Sequence, residues 1–226
     1  MFKAVIFDLD GTLITFTLDV RACRTEIIHN LAQLGFQQSL FSLRETAFDM
    51  LIKVKQQISD EKTVTSNFTE IQKMVFSVVE RFELESAKTT QMFQGIPDTL
   101  KALKEMNLKT AICTISGNEA TSYSLKRFQV EQYFDAIITR EKVTNVKPHP
   151  EHLQATLDAL NIKPNEAVLV GDSVKDMQCA NKLDVLAVGV TTGLSSKESL
   201  IDAGAHYISS SANDVLVIMK HLNRKK

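Results

Sequence analysis

The sequence has little of what marks a secreted, membrane or zinc-binding protein. Its three cysteines, Cys23, Cys113 and Cys179, lie far apart and form no CxxC or Cys/His pair. This spacing predicts reduced thiols and gives no support for a zinc site. No apolar stretch approaches the ~20 residues of a membrane span, and the first residues predict a strand rather than a signal peptide. We therefore expect a cytoplasmic protein without a membrane partner.

An excess of charge of one sign is also absent. The chain has 26 Lys and Arg against 27 Asp and Glu, which gives a formal net charge of -1. Nucleic-acid-binding proteins normally carry a basic surplus, so we expect no nucleic-acid partner. A length of 226 residues and a hydrophobic content of 44% are typical of a globular protein with one large and one small domain.

Glycine and proline nearly disappear between residues 15 and 90. Gly35 is the only glycine of this stretch, and it contains no proline. Apolar residues recur there at helical spacing, as at Ile27, Leu31 and Leu34. The pattern predicts a small bundle of three or four helices. We expect residues 15–90 to form an all-α domain inserted after the first strand.

The remainder of the chain alternates apolar strands with amphipathic helices. This alternation is typical of an α/β fold with a doubly wound parallel sheet. The corresponding core domain is predicted to comprise residues 1–14 and 91–226. The predicted strands are residues 4–7, 109–115, 136–138, 167–170, 185–190 and 206–208, and the last predicted helix covers residues 213–222.

Two carboxylates follow the first predicted strand, residues 4–7. Asp8 and Asp10 directly precede Gly11, which can turn the backbone sharply. In an open α/β sheet, ligands bind just beyond the carboxyl ends of the strands. The segment also fits an ordinary turn, since Asp and Gly are common turn residues. Two crowded carboxylates, however, need protonation or a cation in order to coexist, and Mg²⁺ prefers such oxygen ligands.

A second acidic pair follows the predicted strand at residues 167–170. Asp172 has the same strand-end position as Asp8, and Asp176 lies one turn into the next helix. A single Asp at such a place also fits a helix cap. Three or four carboxylates from two strand ends of one sheet would repel one another strongly without a cation. The two pairs together therefore predict a magnesium site.

A hydroxyl and an ammonium group lie between the two acidic pairs in the sequence. Thr114 is near the end of the second predicted strand. Lys147 lies just before the start of a predicted helix, where Pro148 and Pro150 follow it. The oxygens of a phosphate bound near such a site need donors of these kinds. Alternatively, Thr114 is a β-branched strand residue and Lys147 a solvated loop lysine.

These segments, taken in order, resemble the four motifs of the haloacid dehalogenase-like hydrolases. They are Asp8-Leu9-Asp10-Gly11-Thr12-Leu13, Thr114, Lys147-Pro148 and Gly171-Asp172-Ser173-Val174-Lys175-Asp176. The helical insertion resembles the C1 type of cap domain, and the subgroup most similar in appearance is the phosphoglycolate phosphatase-like one. The resemblance covers essentially the whole chain and implies a Rossmann-like core.

The resemblance also implies roles for the four aspartates. Asp8 would attack phosphorus and form an aspartyl-phosphate, and Asp10 would protonate the leaving oxygen and later activate water. Mg²⁺ would be bound by the Asp8 carboxylate, the backbone carbonyl of Asp10 and Asp172. Asp176 would help directly or through a neighbouring group.

Phosphate binding would fall to residues of the second and third motifs. The resemblance implies Thr114, Ile115 and Lys147 for this role, although the family usually has Asn where this chain has Ile115. Ser116 is close enough to be the second-motif hydroxyl if the register slips. Thr114 is favoured because it falls at the predicted strand end.

The sequence favours a Mg²⁺-dependent phosphatase that hydrolyses a phosphomonoester of a small metabolite. A phosphomutase of the β-phosphoglucomutase type would use the same core, and the sequence does not separate the two. A receiver-like phospho-signalling module shares the acidic cluster but lacks a helical insertion. A non-catalytic relative is also disfavoured, because it would have no physical reason to keep Asp8, Asp10, Lys147 and Asp172 together. The substrate stays open, and both a monomer and a homodimer are compatible with the sequence.

Overall fold

A computed structural model describes residues 1–60 and 67–224 of the chain. The chain divides into two compact units. The larger unit comprises Met1–Phe16 and Ala87–Lys226, and the smaller unit comprises Thr17–Ser86. Among the described residues, no helix combines the length and the apolar character needed to cross a membrane.

The larger unit is built on a six-stranded parallel sheet, which confirms the predicted fold class. Its strand order is β3-β2-β1-β4-β5-β6. The strands are β1 (Ala4–Phe7), β2 (Lys109–Cys113), β3 (Ala136–Ile138), β4 (Ala167–Gly171), β5 (Leu186–Val190) and β6 (Tyr207–Ser209). The helices that alternate with them are α4 (Ile96–Glu105), α5 (Asn118–Arg127), α6 (Pro150–Leu160), α7 (Val174–Asn181), α8 (Lys197–Asp202) and α9 (Val215–Arg224).

The first strand occupies the centre of this sheet. All four residues of β1 are fully buried. Successive side chains of a strand point to opposite faces, so Val5 and Phe7 pack in one hydrophobic cluster while Ala4 and Ile6 pack in another. Helices that cover both faces explain why the strand is apolar throughout instead of alternating.

The register of the central strands brings their carboxyl ends together. Phe7 pairs with Ile112 of β2 on one side and with Val170 of β4 on the other. The residues that follow these three strands therefore emerge at one edge of the sheet, where the chain order reverses. This edge carries the acidic residues singled out above.

The predicted bounds of β4, β5 and β6 each differ from the structure by one residue at one end or at both, and those of β2 and α9 differ by two. Strand β2 ends at Cys113 and not at residue 115: the Thr114 N–H makes the last hydrogen bond to β3, at the Ile138 carbonyl (3.0 Å), and the Ser116 N–H then turns back to the Thr114 hydroxyl (3.1 Å). Helix α9 begins at Val215 and not at residue 213, since a 3₁₀ turn, Ala212–Asp214, precedes it.

The smaller unit consists of helices around their own apolar core. It contains α1 (Val20–Gln33), α2 (Ala47–Asp60) and most of α3 (Phe68–Thr89), with a 3₁₀ turn at Gln38–Leu40. Residues spaced three or four apart on each helix form its core. They are Cys23, Ile27 and Leu31 of α1, Met50, Leu51 and Val54 of α2, and Ile71, Val75 and Val78 of α3.

Candidate active site

A buried lysine lies at the centre of the site. The Lys147 Nζ atom donates to Asp8 Oδ1 (2.7 Å), Asp176 Oδ1 (2.6 Å) and the Cys113 carbonyl (2.6 Å). An ammonium group has three N–H bonds, so these acceptors match its full donor capacity. Burial lowers the pKa of Lys147, but the carboxylates of Asp176 and Asp8 raise it well above its ordinary value. Lys147 is therefore a fixed positive charge.

Three buried carboxylates form a cluster at this charge, and two of them, Asp8 and Asp176, bind it directly. Asp8, Asp172 and Asp176 each offer one oxygen atom, and these atoms lie within 4.8 Å of one another. Burial raises the pKa of Asp8 well above its ordinary value, and Asp176 and Asp172 raise it further, while Lys147 lowers it. Burial and Asp176 likewise raise the pKa of Asp172. Both pKa shifts come first from burial and then from the neighbouring carboxylates. A divalent cation with oxygen ligands would stabilise the charged form of these groups, and the site fits such an ion.

The Asp10 carboxylate has a separate set of neighbours. Its Oδ2 atom accepts a hydrogen bond from the Ser116 hydroxyl (2.6 Å). Burial raises the pKa of Asp10, whereas the Ser116 hydrogen bond and the Lys147 charge lower it. A raised pKa increases the protonated fraction at a given pH, which suits a group that must donate a proton.

The second-motif residues lie at the end of β2. Thr114 is buried and directly follows Cys113, whose carbonyl binds Lys147. Its hydroxyl accepts the Ser116 N–H, while the Ser116 hydroxyl is engaged with Asp10. The Ile115 carbonyl accepts a long hydrogen bond from Arg140 (3.4 Å). The two candidate hydroxyls thus have different neighbours.

Asp176 has a local role as well as its bond to Lys147. Its Oδ2 atom accepts from the Ser173 N–H (3.1 Å) and hydroxyl (2.5 Å), and the Ser173 hydroxyl accepts the Asp176 N–H in return (3.3 Å). This reciprocal pattern is a capping box at the start of α7. The helix cap therefore fixes Asp176 in the direction of Lys147.

Sequence reasoning missed a segment that holds Asp172. The Leu194 N–H donates to Asp172 Oδ2 (3.0 Å), the Thr12 hydroxyl donates to Asp172 Oδ1 (3.3 Å), and the Thr192 hydroxyl donates to the Gly11 carbonyl (2.6 Å). The available signal was position: residues 192–194 follow β5, a parallel neighbour of β4. Strand ends of one parallel sheet emerge at the same edge.

The comparison with known families identifies the chain. The model of the haloacid dehalogenase-like hydrolases matches residues 5–190. The chain belongs to this family. The resemblance inferred from the four motifs is confirmed, as is the expectation of an enzyme of the hydrolase class.

Relatives of this haloacid dehalogenase-like hydrolase match it over nearly its full length. The Pyrophosphatase PpaX of Bacillus mycoides is 25% identical over 221 residues, covering 98% of this chain and 98% of the relative. A crystal structure of a hydrolase from Pseudomonas syringae has a TM-score of 0.75 and 22% identity, covering 98% of each chain. That of a predicted phosphoglycolate phosphatase from Haemophilus somnus has a TM-score of 0.65 and 19% identity, covering 96% of this chain and 98% of the other. Both structures share its fold.

Proposed function

We propose that this hydrolase is a Mg²⁺-dependent phosphatase that acts on a phosphomonoester of a small metabolite through an aspartyl-phosphate. The main support is the cluster of three buried carboxylates at the ends of β1 and β4, two of which, Asp8 and Asp176, bind the ammonium group of Lys147. Phosphoryl transfer depends mostly on positioning and on stabilisation of charge, and this cluster is suited to both.

Asp8 is the proposed nucleophile. Lys147 donates to Asp8 Oδ1, which holds the carboxylate in place and offsets part of the effect of burial on the pKa of Asp8. Attack by a carboxylate oxygen on phosphorus forms the aspartyl-phosphate and breaks the bond to the leaving oxygen. Water then hydrolyses this intermediate and regenerates Asp8.

Asp10 is the proposed acid and base. In its protonated form it donates a proton to the leaving oxygen, and the carboxylate then takes a proton from the attacking water. Its raised pKa favours the first step, and the hydrogen bond from Ser116 stabilises the carboxylate needed for the second.

The residues present fit a divalent cation. The Asp8 carboxylate, the Asp10 carbonyl and Asp172 would hold Mg²⁺, with Asp176 contributing directly or through a neighbouring group bound to the ion. When bound, the ion supplies positive charge that stabilises the transferring phosphoryl group.

Phosphate binding is assigned to Thr114, Ile115 and Lys147. Thr114 offers a hydroxyl and Lys147 an ammonium group, while Ile115 can offer only its backbone N–H. The assignment of Lys147 is supported by its hydrogen bonds to Asp8, the proposed nucleophile, and to the Cys113 carbonyl at the end of β2.

Inorganic pyrophosphate is a second candidate substrate, because the matching Bacillus relatives are named pyrophosphatases. The same nucleophile and acid would cleave its phosphoanhydride bond. A phosphomutase differs only in the fate of the aspartyl-phosphate, which would pass its phosphoryl group to a sugar phosphate instead of to water.

A substrate panel tests the proposal. Purified protein with Mg²⁺ is given an aryl phosphate, phosphorylated metabolites, pyrophosphate and glucose 1-phosphate, and free phosphate and glucose 6-phosphate are measured. Phosphate release from monoesters supports the proposed phosphatase, and preferential release from pyrophosphate supports the second candidate. Isomerisation of the sugar phosphate without release indicates a mutase, and no turnover of any compound contradicts all three.

A further inference from the structure

A fully buried histidine lies directly behind Lys147. His152 belongs to the first turns of α6, and its exposed fraction is 0%. The Lys147 backbone N–H points to His152 Nδ1 (N···N 3.4 Å), and His152 Nε2 lies 3.2 Å from the Ile138 carbonyl. No step of the proposed reaction uses this imidazole.

These two partners determine the protonation of the ring. A backbone N–H can only donate and a carbonyl can only accept, so Nδ1 must be the acceptor and Nε2 must carry the hydrogen. Burial and the Lys147 charge lower the pKa of His152 to about 4, against the opposing effects of the Ile138 hydrogen bond, Asp176 and Glu151. The neutral ring with hydrogen on Nε2 satisfies both bonds.

The Ile138 carbonyl has a second donor, which connects this histidine to the other phosphate-binding segment. It accepts the Thr114 N–H (3.0 Å) in addition to the His152 ring. A continuous path of hydrogen bonds therefore runs from Thr114 to Ile138, from Ile138 to His152, and from His152 to Lys147. Its two ends are residues to which phosphate binding is assigned.

We propose that His152 is a positioning residue that fixes Lys147 relative to Thr114. Its imidazole spans the gap between the loop before α6 and the end of β3, where β2 also ends. Small errors in the placement of donors around a transferring group reduce catalysis strongly. The role rests on the proposed phosphatase activity for its kinetic consequence alone, since the hydrogen-bond path exists independently of turnover.

The tautomer is tested first, on the unmodified protein. We record long-range ¹H–¹⁵N correlations of the histidine rings and assign His152 through its backbone. At neutral pH, and down to about pH 5, we expect Nδ1 without hydrogen and Nε2 with hydrogen. Hydrogen on Nδ1, or a doubly protonated ring at neutral pH, would overturn the proposal.

The consequence for the site is tested with two variants and a matched control. In His152→Asn and His152→Gln, each side chain can keep one of the two hydrogen bonds but not both. Thr156→Val removes a buried hydroxyl that binds the His152 carbonyl (3.0 Å) but lies outside the path. We expect each His152 variant to lower kcat/KM at least about tenfold, and Thr156→Val to leave kcat/KM unchanged for a comparable loss of melting temperature.

Binding of inorganic phosphate separates this proposal from the proposed activity. Measured by calorimetry with Mg²⁺ present, the dissociation constant is expected to rise about tenfold in both His152 variants and to stay constant in Thr156→Val. If the unmodified protein hydrolyses no substrate, the proposed function fails while this measurement still reports on His152. Equal effects in the His152 variants and in Thr156→Val would mean that the histidine only fills the core.

Discussion

At the residue scale, the site is a balance between buried negative charges and one buried positive charge. Asp8, Asp172 and Asp176 are all at most 7% exposed, and Lys147 is 3% exposed. Burial of an unpaired charge is costly, and the one ammonium group offsets the three carboxylates only in part. Substitution at this site should therefore change the chemistry of the protein and its stability in different ways.

The proposed nucleophile gives the sharpest substitution. Asp8→Asn removes the attacking carboxylate while retaining its shape, and we expect kcat to fall by about 10³-fold or more. The melting temperature should stay close to that of the unmodified protein, since the change also relieves repulsion with Asp172 and Asp176. Asp98→Asn, at an exposed position on α4, is the control. Turnover close to that of the unmodified protein would exclude Asp8 as the nucleophile.

Substitution of Gly193 tests whether residues 192–194, which hold Asp172, are needed for metal binding. A Cβ atom at this glycine would lie 1.8 Å from Asp172 Oδ2, so Gly193→Ala must displace that carboxylate. We expect the dissociation constant for Mg²⁺, measured by calorimetry, to rise at least about tenfold. Leu194→Ala is the matched control, because the side chain is 70% exposed while the Leu194 backbone N–H binds Asp172. Unchanged Mg²⁺ affinity in Gly193→Ala would remove Asp172 from the set of metal ligands.

At the scale of elements, the apolar strands and the residues directly after them were the features most readily predicted from the sequence. Runs such as Ala4–Phe7 and Ala167–Gly171 are apolar throughout and are followed at once by aspartates, so both strands and their shared edge were predictable. The end of β2 was not predictable from the sequence, because its last hydrogen bond runs from the Thr114 N–H to the Ile138 carbonyl, which is distant in sequence.

Separation in sequence also explains why the groups that contact Asp172 and Lys147 could not be predicted. The contact of Leu194 with Asp172 and the path through His152 depend on how separate loops pack, and no local pattern encodes such packing. Residue type and spacing indicated which chemical groups the chain has. Tertiary structure determines what orients them.

The cap of α7 links an element to the chemistry. Ser173→Ala removes the capping hydroxyl and one of the hydrogen bonds to Asp176, so we expect a loss of about 1 kcal/mol in the free energy of unfolding. It should also lower kcat, because Asp176 orients Lys147. Ser196→Ala removes the corresponding cap of α8 (Ser199 N–H to Ser196 Oγ, 3.2 Å) and should cost similar stability without affecting kcat. Urea denaturation and steady-state kinetics compare the two, and equal kcat in both variants would leave α7 with a purely structural cap.

At the scale of the whole molecule, metal binding and folding should be linked. A cation that binds only the folded chain stabilises it, by about 2.7 kcal/mol at a concentration 100 times the dissociation constant. We therefore expect Mg²⁺ to raise the melting temperature and excess EDTA to reverse the shift and abolish hydrolysis of an aryl phosphate. Asp172→Asn should remove most of the shift. Full activity in EDTA would contradict the metal dependence.

The pH dependence of stability isolates His152. Its pKa is lowered from 6.5 to about 4 in the folded chain, so only the unfolded chain takes up this proton between those values. Folding should therefore lose stability as pH falls through this window, by ~3 kcal/mol in total. The raised pKa values of Asp8 and Asp172 act in the opposite direction, but they cancel when the unmodified protein is compared with His152→Asn. Urea denaturation between about pH 7 and pH 4 should show the stability advantage of the unmodified protein shrinking, and a constant difference would mean that His152 titrates normally.

The three acceptors around Lys147 have a consequence for how a substrate enters the site. All three N–H bonds of its ammonium group are already directed at protein oxygens, so an incoming phosphate cannot simply be added as a fourth partner. The proposed binding of phosphate to Lys147 must therefore be an exchange, in which one N–H bond of Lys147 leaves a protein oxygen and donates to a phosphate oxygen instead. Such an exchange keeps the net gain from phosphate binding small, and a weakly held phosphate is one that leaves quickly once the reaction is complete.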